Sequence, residues 1–430
     1  MHPTNDPKLT SFIDVAPESH FPIQNLPYGV CRPREGGEVF ICTAIGEYVL
    51  NLAELEQAGV FDGPQLDGKR VFSERTLNKF MSMDRKAWLE ARTTISNLLS
   101  ADESSLRDNE SLREEVLTPM DEVEMLLPVA IGDYTDFYSS EQHAFNVGTM
   151  FRGPENALKP NWKHLPVGYH GRASSVVVSG TDLHRPQGQV LGEDGETPEF
   201  SASKLLDFEL EMGFVAGPGN RLGEPIPVSE AKEHIFGLMI VNDWSARDIQ
   251  KWEYQPLGPF LAKNWATSVS PWIVTLDALE PFKTTGPEQD PEPMPYLKSS
   301  EGWYDIKLDV FLQGDDMDKP HKIAASNYKN LYWSMNQQLA HHTITGCNVQ
   351  PGDLYASGTI SGETEDSYGS MLELSWKGEK PITFPDGEKR TFIEDGDTIT
   401  MTGYAKGEGY RVGFGEVTGK IKPAKELKFE

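Results

Sequence analysis

The 430-residue chain has little cysteine. Cys31, Cys42 and Cys347 are too few and too scattered for a disulfide framework or a zinc site, so reduced thiols in a cytoplasmic protein are expected. No apolar run approaches ~18 residues, which excludes a membrane-spanning helix. Positive charge is also scarce: 39 Lys and Arg stand against 66 Asp and Glu, a formal net of −27. Nucleic acid and anionic membrane both require a positive face and are not expected as partners. An anionic small molecule remains open, but its site must be locally positive. The opening from Met1 to Pro7 has no basic region followed by an apolar run, so no secretory signal is expected. No Walker motif, no GxGxxG after a strand and no GxSxG elbow occurs, and there is no internal repeat.

Aromatic residues are plentiful, with 20 Phe, 14 Tyr and 9 Trp, so a large packed core is available. The 39 Gly and 30 Pro imply many turns and a β-rich chain. Residues 39–52 predict two strands around a glycine turn, and 75–99 a helix with Leu77, Phe80, Met81, Trp88, Leu89 and Ile95 near a 3.6 period. Residues 101–124 hold nine acidic side chains against Arg107 and Arg113 and predict a solvated helix or linker. That puts a boundary near 125–130, with a small α+β or β-barrel module before it. Beyond it, strands are predicted at 176–178, 207–216, 236–242, 271–276, 304–313, 370–376 and 397–404, and a helix within 326–342. Many strands with few helices suggest a β-roll or sandwich.

The segment Asp207-Phe208-Glu209-Leu210-Glu211-Met212-Gly213-Phe214 is the most informative. As a strand, it puts Asp207, Glu209 and Glu211 on one face and the apolar side chains on the other. An exposed face is one reading; if the face is buried, a hard, oxygen-seeking cation relieves the repulsion. The strand 237–241 ends at Asn242-Asp243, where Asp243 is either the N-cap of a following helix or a further carboxylate of the site. Arg247, Gln250 and Tyr254 follow at helical spacing, a cation, an amide and a phenol that suit an anionic oxygenated ligand or a surface face. Residues 133–143 pack two Asp, two Tyr and His143 together, and Arg152 beyond them could clasp a carboxylate. His341 and His342 read as packing or surface residues. Residues 354–362 look like a Gly-rich ligand loop, and 370–376 alternates as a strand with Glu373 opposite Leu372, Leu374 and Trp376.

At these residues the chain closely resembles the fumarylacetoacetase family, essentially end to end. The resemblance runs through Phe21–Val30, the 131–143 cluster, Val167-Gly168-Tyr169-His170-Gly171-Arg172, and the 242–254 and 355–376 segments; about ten initial residues look like an extension. It implies a mainly β fold with some α: a small SH3-like N-terminal barrel over 1–128, with its helical acidic linker, then a large mixed β-roll over 129–430, as a homodimer. It implies Ca²⁺ or Mg²⁺ held by carboxylates matching Asp136, Glu209, Glu211 and Asp243, with a neighbouring cation position involving Lys263 and Thr267. Since an ammonium cannot ligate a cation, that contact should come from the Lys263 carbonyl or the Thr267 hydroxyl. Residues matching Tyr138, Arg152, Gln250, Tyr254 and Thr359 bind substrate, and Tyr169 lines the same pocket. His143 and Glu373 match a catalytic pair.

The reaction so implied is hydrolysis of a carbon–carbon bond in a small anionic diketo acid, 4-fumarylacetoacetate, giving fumarate and acetoacetate at the end of tyrosine and phenylalanine breakdown. His143 is the expected general base, oriented by Glu373, with Arg247, Gln250 and Lys263 stabilising the oxyanion. Two alternatives compete. A related metal-dependent decarboxylase or isomerase keeps the carboxylates without needing the His143–Glu373 pair, and a structural Ca²⁺-binding protein needs neither that pair nor Arg152.

Overall fold

The structure is a computed structural model and describes residues 2–385 and 387–428. Its strands fall mainly into three sheets. The first is antiparallel and curled, in spatial order Leu117–Pro119, Tyr48–Asn51, Phe40–Ile45, Tyr28–Pro33, Val123–Leu126. The helix Arg85–Leu99 packs beside it, capped by the Asp84 carboxylate on the amides of Lys86 and Ala87. The periodic stretch predicted as one helix over 75–99 is broken into Asn78–Met81, which ends at Ser82, and Arg85–Leu99, which Asp84 caps afresh. The acidic stretch 101–124 takes the solvated-helix form of that expectation in part, with only Leu106 and Val116 buried in its two helices. It folds back as two short helices and supplies the strand Leu117–Pro119 and the first residues of Val123–Leu126, both edges of this sheet. Leu106, Val116 and Val123 are buried, and these anchors outweigh the charge.

The second sheet is mixed, eight-stranded and central, ordered Gly168–His170, Tyr134–Phe137, Leu354–Ala356, Leu210–Ala216, Ile235–Asp243, Thr267–Val269, Val176–Val178, with Val274–Thr275 also on Ile235–Asp243. The third has five strands, ordered His321–Asn327, Lys307–Gln313, Thr398–Lys406, Arg411–Lys422, Leu183–His184. The central sheet is covered on both faces, which is why Ile235–Asp243 is buried throughout and reads as a nearly unbroken apolar run. Leu210, Met212, Phe214, Leu238 and Ile240 face the third sheet. Val215, Phe236, Met239, Val241, Val269, Tyr134 and Leu354 share a core with the N-terminal region.

Two expectations fail here. Residues 370–376 are not a strand: Ser370 caps a short helix, Met371–Leu374, by accepting from the Glu373 amide. The predicted strand 207–216 is also interrupted, as Leu206–Asp207 and Leu210–Ala216 belong to different sheets. Asp207 pairs with Ser245, while Glu211 lies opposite Val241. Cys31, Cys42 and Cys347 are free, with 3.5 Å between the sulfurs of Cys31 and Cys42. Among the described residues, no helix is long and apolar enough to cross a membrane.

Candidate active site

The central-sheet face turned toward the N-terminal region is apolar along most of its length and polar at one end. Tyr134 is followed by Asp136, Val241 by Asp243, and Val269 is preceded by Thr267; Glu211 lies beyond Val215 on its own strand. Registry gathers these ends, with Asp136 opposite Tyr169 and Ala356, Gly213 opposite Ala356, and Asp243 opposite Thr267. Glu209 joins from the irregular step before Leu210, and its carbonyl accepts from the Asp243 amide at 3.2 Å. Asp136, Glu209, Glu211 and Asp243 are all buried, and each offers a carboxylate oxygen within 4.8 Å of the others.

Four buried carboxylates this close cannot all stay ionised without positive charge. Part of it comes from the chain itself. Lys263 Nζ lies 2.5 Å from Glu209 Oε2 and 2.6 Å from Asp243 Oδ2, and Arg247 Nη2 lies 2.8 Å from Glu209 Oε1. Burial opposes ionisation of Glu209, but Lys263, Arg247 and His143 overcome it and hold its carboxyl far below the usual range. Asp136 and Glu211 have no such partner. Burial first, then their acidic neighbours, push both carboxyls well above the usual range. Asp136 Oδ1 and Glu211 Oε1 are buried without a hydrogen bond. Two orphaned carboxylate oxygens in an all-oxygen set fit a hard divalent cation. Lys263 reaches the cluster through its ammonium, while the Thr267 hydroxyl donates to Asp243 Oδ1 at 3.2 Å.

Asp207 does not join this cluster. It accepts from the Met371 and Leu372 amides at 2.7 and 3.1 Å and from Arg247 Nε at 2.8 Å. The expected row of three carboxylates on one strand face is therefore divided, and Asp207 anchors the short helix that carries Glu373. Arg247 Nη1 donates to Gln250 Oε1 at 3.1 Å, which spends the amide oxygen and leaves the Gln250 NH₂ for other acceptors. Arg247 Nη2 is ion-paired with Glu209 Oε1 at 2.8 Å, so this one guanidinium spans Asp207, Glu209 and Gln250.

Beside the acidic cluster, His143 Nδ1 lies 2.7 Å from Glu373 Oε2, with both side chains buried. His143 sits in the first turn of the helix Glu141–Arg152, where Ser140 is the N-cap and accepts from the His143 amide. Glu373 also accepts from Asn146 Nδ2 at 2.9 Å, Ser370 Oγ at 2.8 Å and Ser361 Oγ. Burial raises the Glu373 pKa, but His143 and these donors outweigh burial and keep it below the usual carboxylate range. His143 Nε2 has no hydrogen-bond partner among the described residues. The Glu373 helix ends in a left-handed turn: Trp376 donates to the Glu373 carbonyl and Lys377 to that of Leu372, with φ of 48° and 61°. The Lys377 ammonium then reaches the Met150 carbonyl at 2.9 Å, clipping the two dyad helices together at their far ends.

The remaining expected residues divide. Tyr169 OH donates to Asp243 Oδ2 at 3.1 Å, and the Tyr138 ring stands edge-on to His143 with centroids 5.2 Å apart. Thr359 Oγ1 is buried and unpartnered. Just before it, Gly358 (φ +79°) donates to Glu211 Oε2 at 2.9 Å, and a Cβ there would meet the Phe137 carbonyl at 2.3 Å, so only glycine fits. Tyr254 and Arg152 are not drawn in. Tyr254 is 45% exposed and its hydroxyl accepts from Gln255, while exposed Arg152 donates to the carbonyls of Asn156 and Ala157. Asn146, Ser361 and Ser370 escaped the sequence reading, although the spacings 143–146 and 370–373 are those of side chains meeting across one helical turn.

Comparison with known proteins agrees along the whole chain. Residues 24–128 match the description "Fumarylacetoacetase N-terminal", and residues 133–422 match "Fumarylacetoacetate (FAA) hydrolase C-terminal". The fumarylacetoacetase of Arabidopsis thaliana is 56% identical over 417 residues, covering 97% of this chain and 99% of that protein. That of Homo sapiens is 56% identical over 416 residues, covering 96% and 99%. A solved fumarylacetoacetate hydrolase from Exiguobacterium antarcticum shares the fold, with a TM-score of 0.51 at 17% identity over 93% of this chain and 100% of that one.

Proposed function

The chain belongs to the fumarylacetoacetate hydrolase family, and from that premise we propose that it cleaves the carbon–carbon bond of 4-fumarylacetoacetate with water, giving fumarate and acetoacetate. The observation that carries the mechanism is the His143–Glu373 contact of 2.7 Å beside a buried acidic cluster. Glu373 holds the Nδ1–H, so the Nε2 lone pair is free to take a proton from water. Hydroxide oxygen then bonds to the ketone carbon of the fumaryl group, the one conjugated with its double bond. The carbonyl becomes an oxyanion, which the Gln250 NH₂, the positive charge of the Arg247 guanidinium and the third Lys263 N–H are suited to stabilise. Collapse of that oxyanion breaks the carbon–carbon bond, and the electron pair leaves as the acetoacetate enolate. The imidazolium returns its proton to the enolate carbon, and Glu373 steadies the charge in between.

Asp136, Glu209, Glu211 and Asp243 would hold the divalent cation, read here as Ca²⁺ or Mg²⁺, which supplies Lewis-acid polarisation of a substrate oxygen when bound. Tyr138, Tyr169 and Thr359 line the substrate's place, and Arg152 and Tyr254 join it only if they turn from their present partners. The same reading takes residues 1–128 and 129–430 as two domains of a cytoplasmic homodimer. A related decarboxylase or isomerase need not keep a histidine braced by a buried carboxylate, and a structural cation-binding protein does not need one, so the pair favours hydrolysis. The test is fumarate release by the purified chain. No fumarate from a metal-replete preparation would overturn the reading.

A further inference from the structure

Glu373 receives more hydrogen bonds than a base–carboxylate dyad needs. Besides His143, Asn146 Nδ2 donates to Oε1 at 2.9 Å, and Ser361 Oγ stands 3.0 and 2.9 Å from Oε1 and Oε2, its one proton shared between them. Ser370 donates to Oε2 at 2.8 Å, but it is also the helix N-cap. Asn146 lies one turn beyond His143, so base and donor ride on one helix. Ser361 is fixed in turn. Its amide donates to Ser140 Oγ, its carbonyl accepts from that hydroxyl, and its own hydroxyl accepts from the Gly369 amide at 3.0 Å. Glu373, His143, Asn146, Ser361, Ser370 and Ser140 are all buried.

We propose that Asn146 and Ser361 are positioning residues of the reaction: a donor cradle that aims the Glu373 carboxylate at His143 and sets how tightly the imidazole holds its proton. This rests on the hydrolase reading above. A buried carboxylate accepting only from an imidazole concentrates its charge on that imidazole and binds the proton strongly. Donors spread around both oxygens place positive dipoles nearby, and these weaken the grip on an imidazolium. The cradle thus leaves His143 deprotonated at a lower pH than a bare His–Glu pair would. The other titratable and charged groups facing the dyad are Glu209, Tyr138 and Tyr368, with Arg152 and Arg247 felt at Tyr138. None of them is replaced in the variants below; Tyr368 shares a hydrogen bond with Asn146, so Ser361→Ala, which leaves that bond intact, is the variant whose shift reports the cradle alone.

The experiment measures fumarate release against pH for metal-replete wild type, Ser361→Ala, Asn146→Leu and Ser361→Thr. For the first two variants, kcat falls by about tenfold, KM stays within about twofold, and the acidic limb of kcat/KM moves up by roughly half a unit or more. Ser361→Thr keeps the hydroxyl and returns the limb toward wild type. A variant that simply packs badly loses active protein equally at every pH and leaves the limb in place. Unmoved limbs in both Ser361→Ala and Asn146→Leu, in a wild type that releases fumarate and loses it on His143→Ala, overturn the cradle alone. A wild type without activity overturns the hydrolase reading instead, and an NMR titration of the His143 imidazole still tests the cradle, since the same upward shift is expected there.

Discussion

Arg92 is buried and the Arg247 side chain is only 9% exposed, yet their surroundings are of opposite kinds. Arg92 meets only neutral acceptors: the Thr4 hydroxyl, the Asn5 amide and the carbonyls of Gln24 and Asn25, at 2.5–3.0 Å. Burial pushes it down to about 10, still far above neutrality, so it remains charged and ties the N-terminal segment to the helix Arg85–Leu99. Arg247 sits among Asp207, Glu209 and Gln250 and is ion-paired with both carboxylates. The difference extends to whole regions. Among the described residues, the carboxylates with a buried oxygen that accepts no hydrogen bond are Asp136 and Glu211, both at the acidic cluster. Neutral orphans such as Asn25 Oδ1 and Tyr28 OH occur near Arg92 as well. A neutral orphan costs about 1–3 kcal/mol and a charged one more, so charged orphans gathered in one place mark a site built for something it must bind.

The sharpest test of that contrast is chelation. Exhaustive removal of divalent cations should abolish turnover, with recovery on adding Ca²⁺ or Mg²⁺, and full activity in rigorously metal-free protein would break the argument. Next in size is the dyad: His143→Ala should lower kcat by ~10²–10⁴-fold without altering metal content. Glu373→Gln should cost less, and the double variant scarcely more than His143→Ala, because the two act as one unit. Losses that multiply would separate them.

The Arg92 centre should respond in the opposite currency. Arg92→Met strands two carbonyls, an amide and a hydroxyl, and denaturant unfolding should show a loss of about 2–4 kcal/mol while the folded fraction keeps its kcat. Glu211→Gln removes one of the repelling carboxylates. It should abolish activity yet leave the metal-free protein as stable as before or about 1 kcal/mol more so. If both substitutions harm stability alike, the distinction between the two centres falls.

The smallest effect concerns His342, whose Nδ1 is an orphan outside the acidic cluster. Burial, then His170, pushes it down to about 4. The unfolded chain therefore binds the extra proton first, and stability is lost as pH falls from about 6.5 toward about 4. His342→Gln should retain activity and flatten that acid limb by roughly 1–2 kcal/mol, as seen in unfolding midpoints at pH 5 and 7.

Much of this molecule is legible in its residue pattern. The hairpin of Phe40–Ile45 and Tyr48–Asn51, the buried strand Ile235–Asp243 and the helix Arg85–Leu99 follow from apolar spacing and turn residues, which are local quantities. The chemical types of the site are legible too, since Asp136, Glu211, Asp243 and His143 stand in unusual local company. Local pattern misleads where a tertiary partner overrides it. Leu372, Leu374 and Trp376 alternate like a strand, but Ser370 and the Asp207 carboxylate cap a helix there. Asp207, Glu209 and Glu211 alternate as well, but Asp207 is claimed by Arg247.

By itself, then, the sequence determined the β-rich class, the apolar runs that must be buried, the acidic balance and the family, because each depends on composition or on neighbours a few residues apart. Only the tertiary structure decided which carboxylates meet, that Lys263 and Arg247 neutralise some of them, and that Glu373 comes to His143 across 230 positions with Asn146 and Ser361 around it. Those choices are set by strand registry and by the need to satisfy charge in a dry interior. Neither is encoded at any one place in the chain.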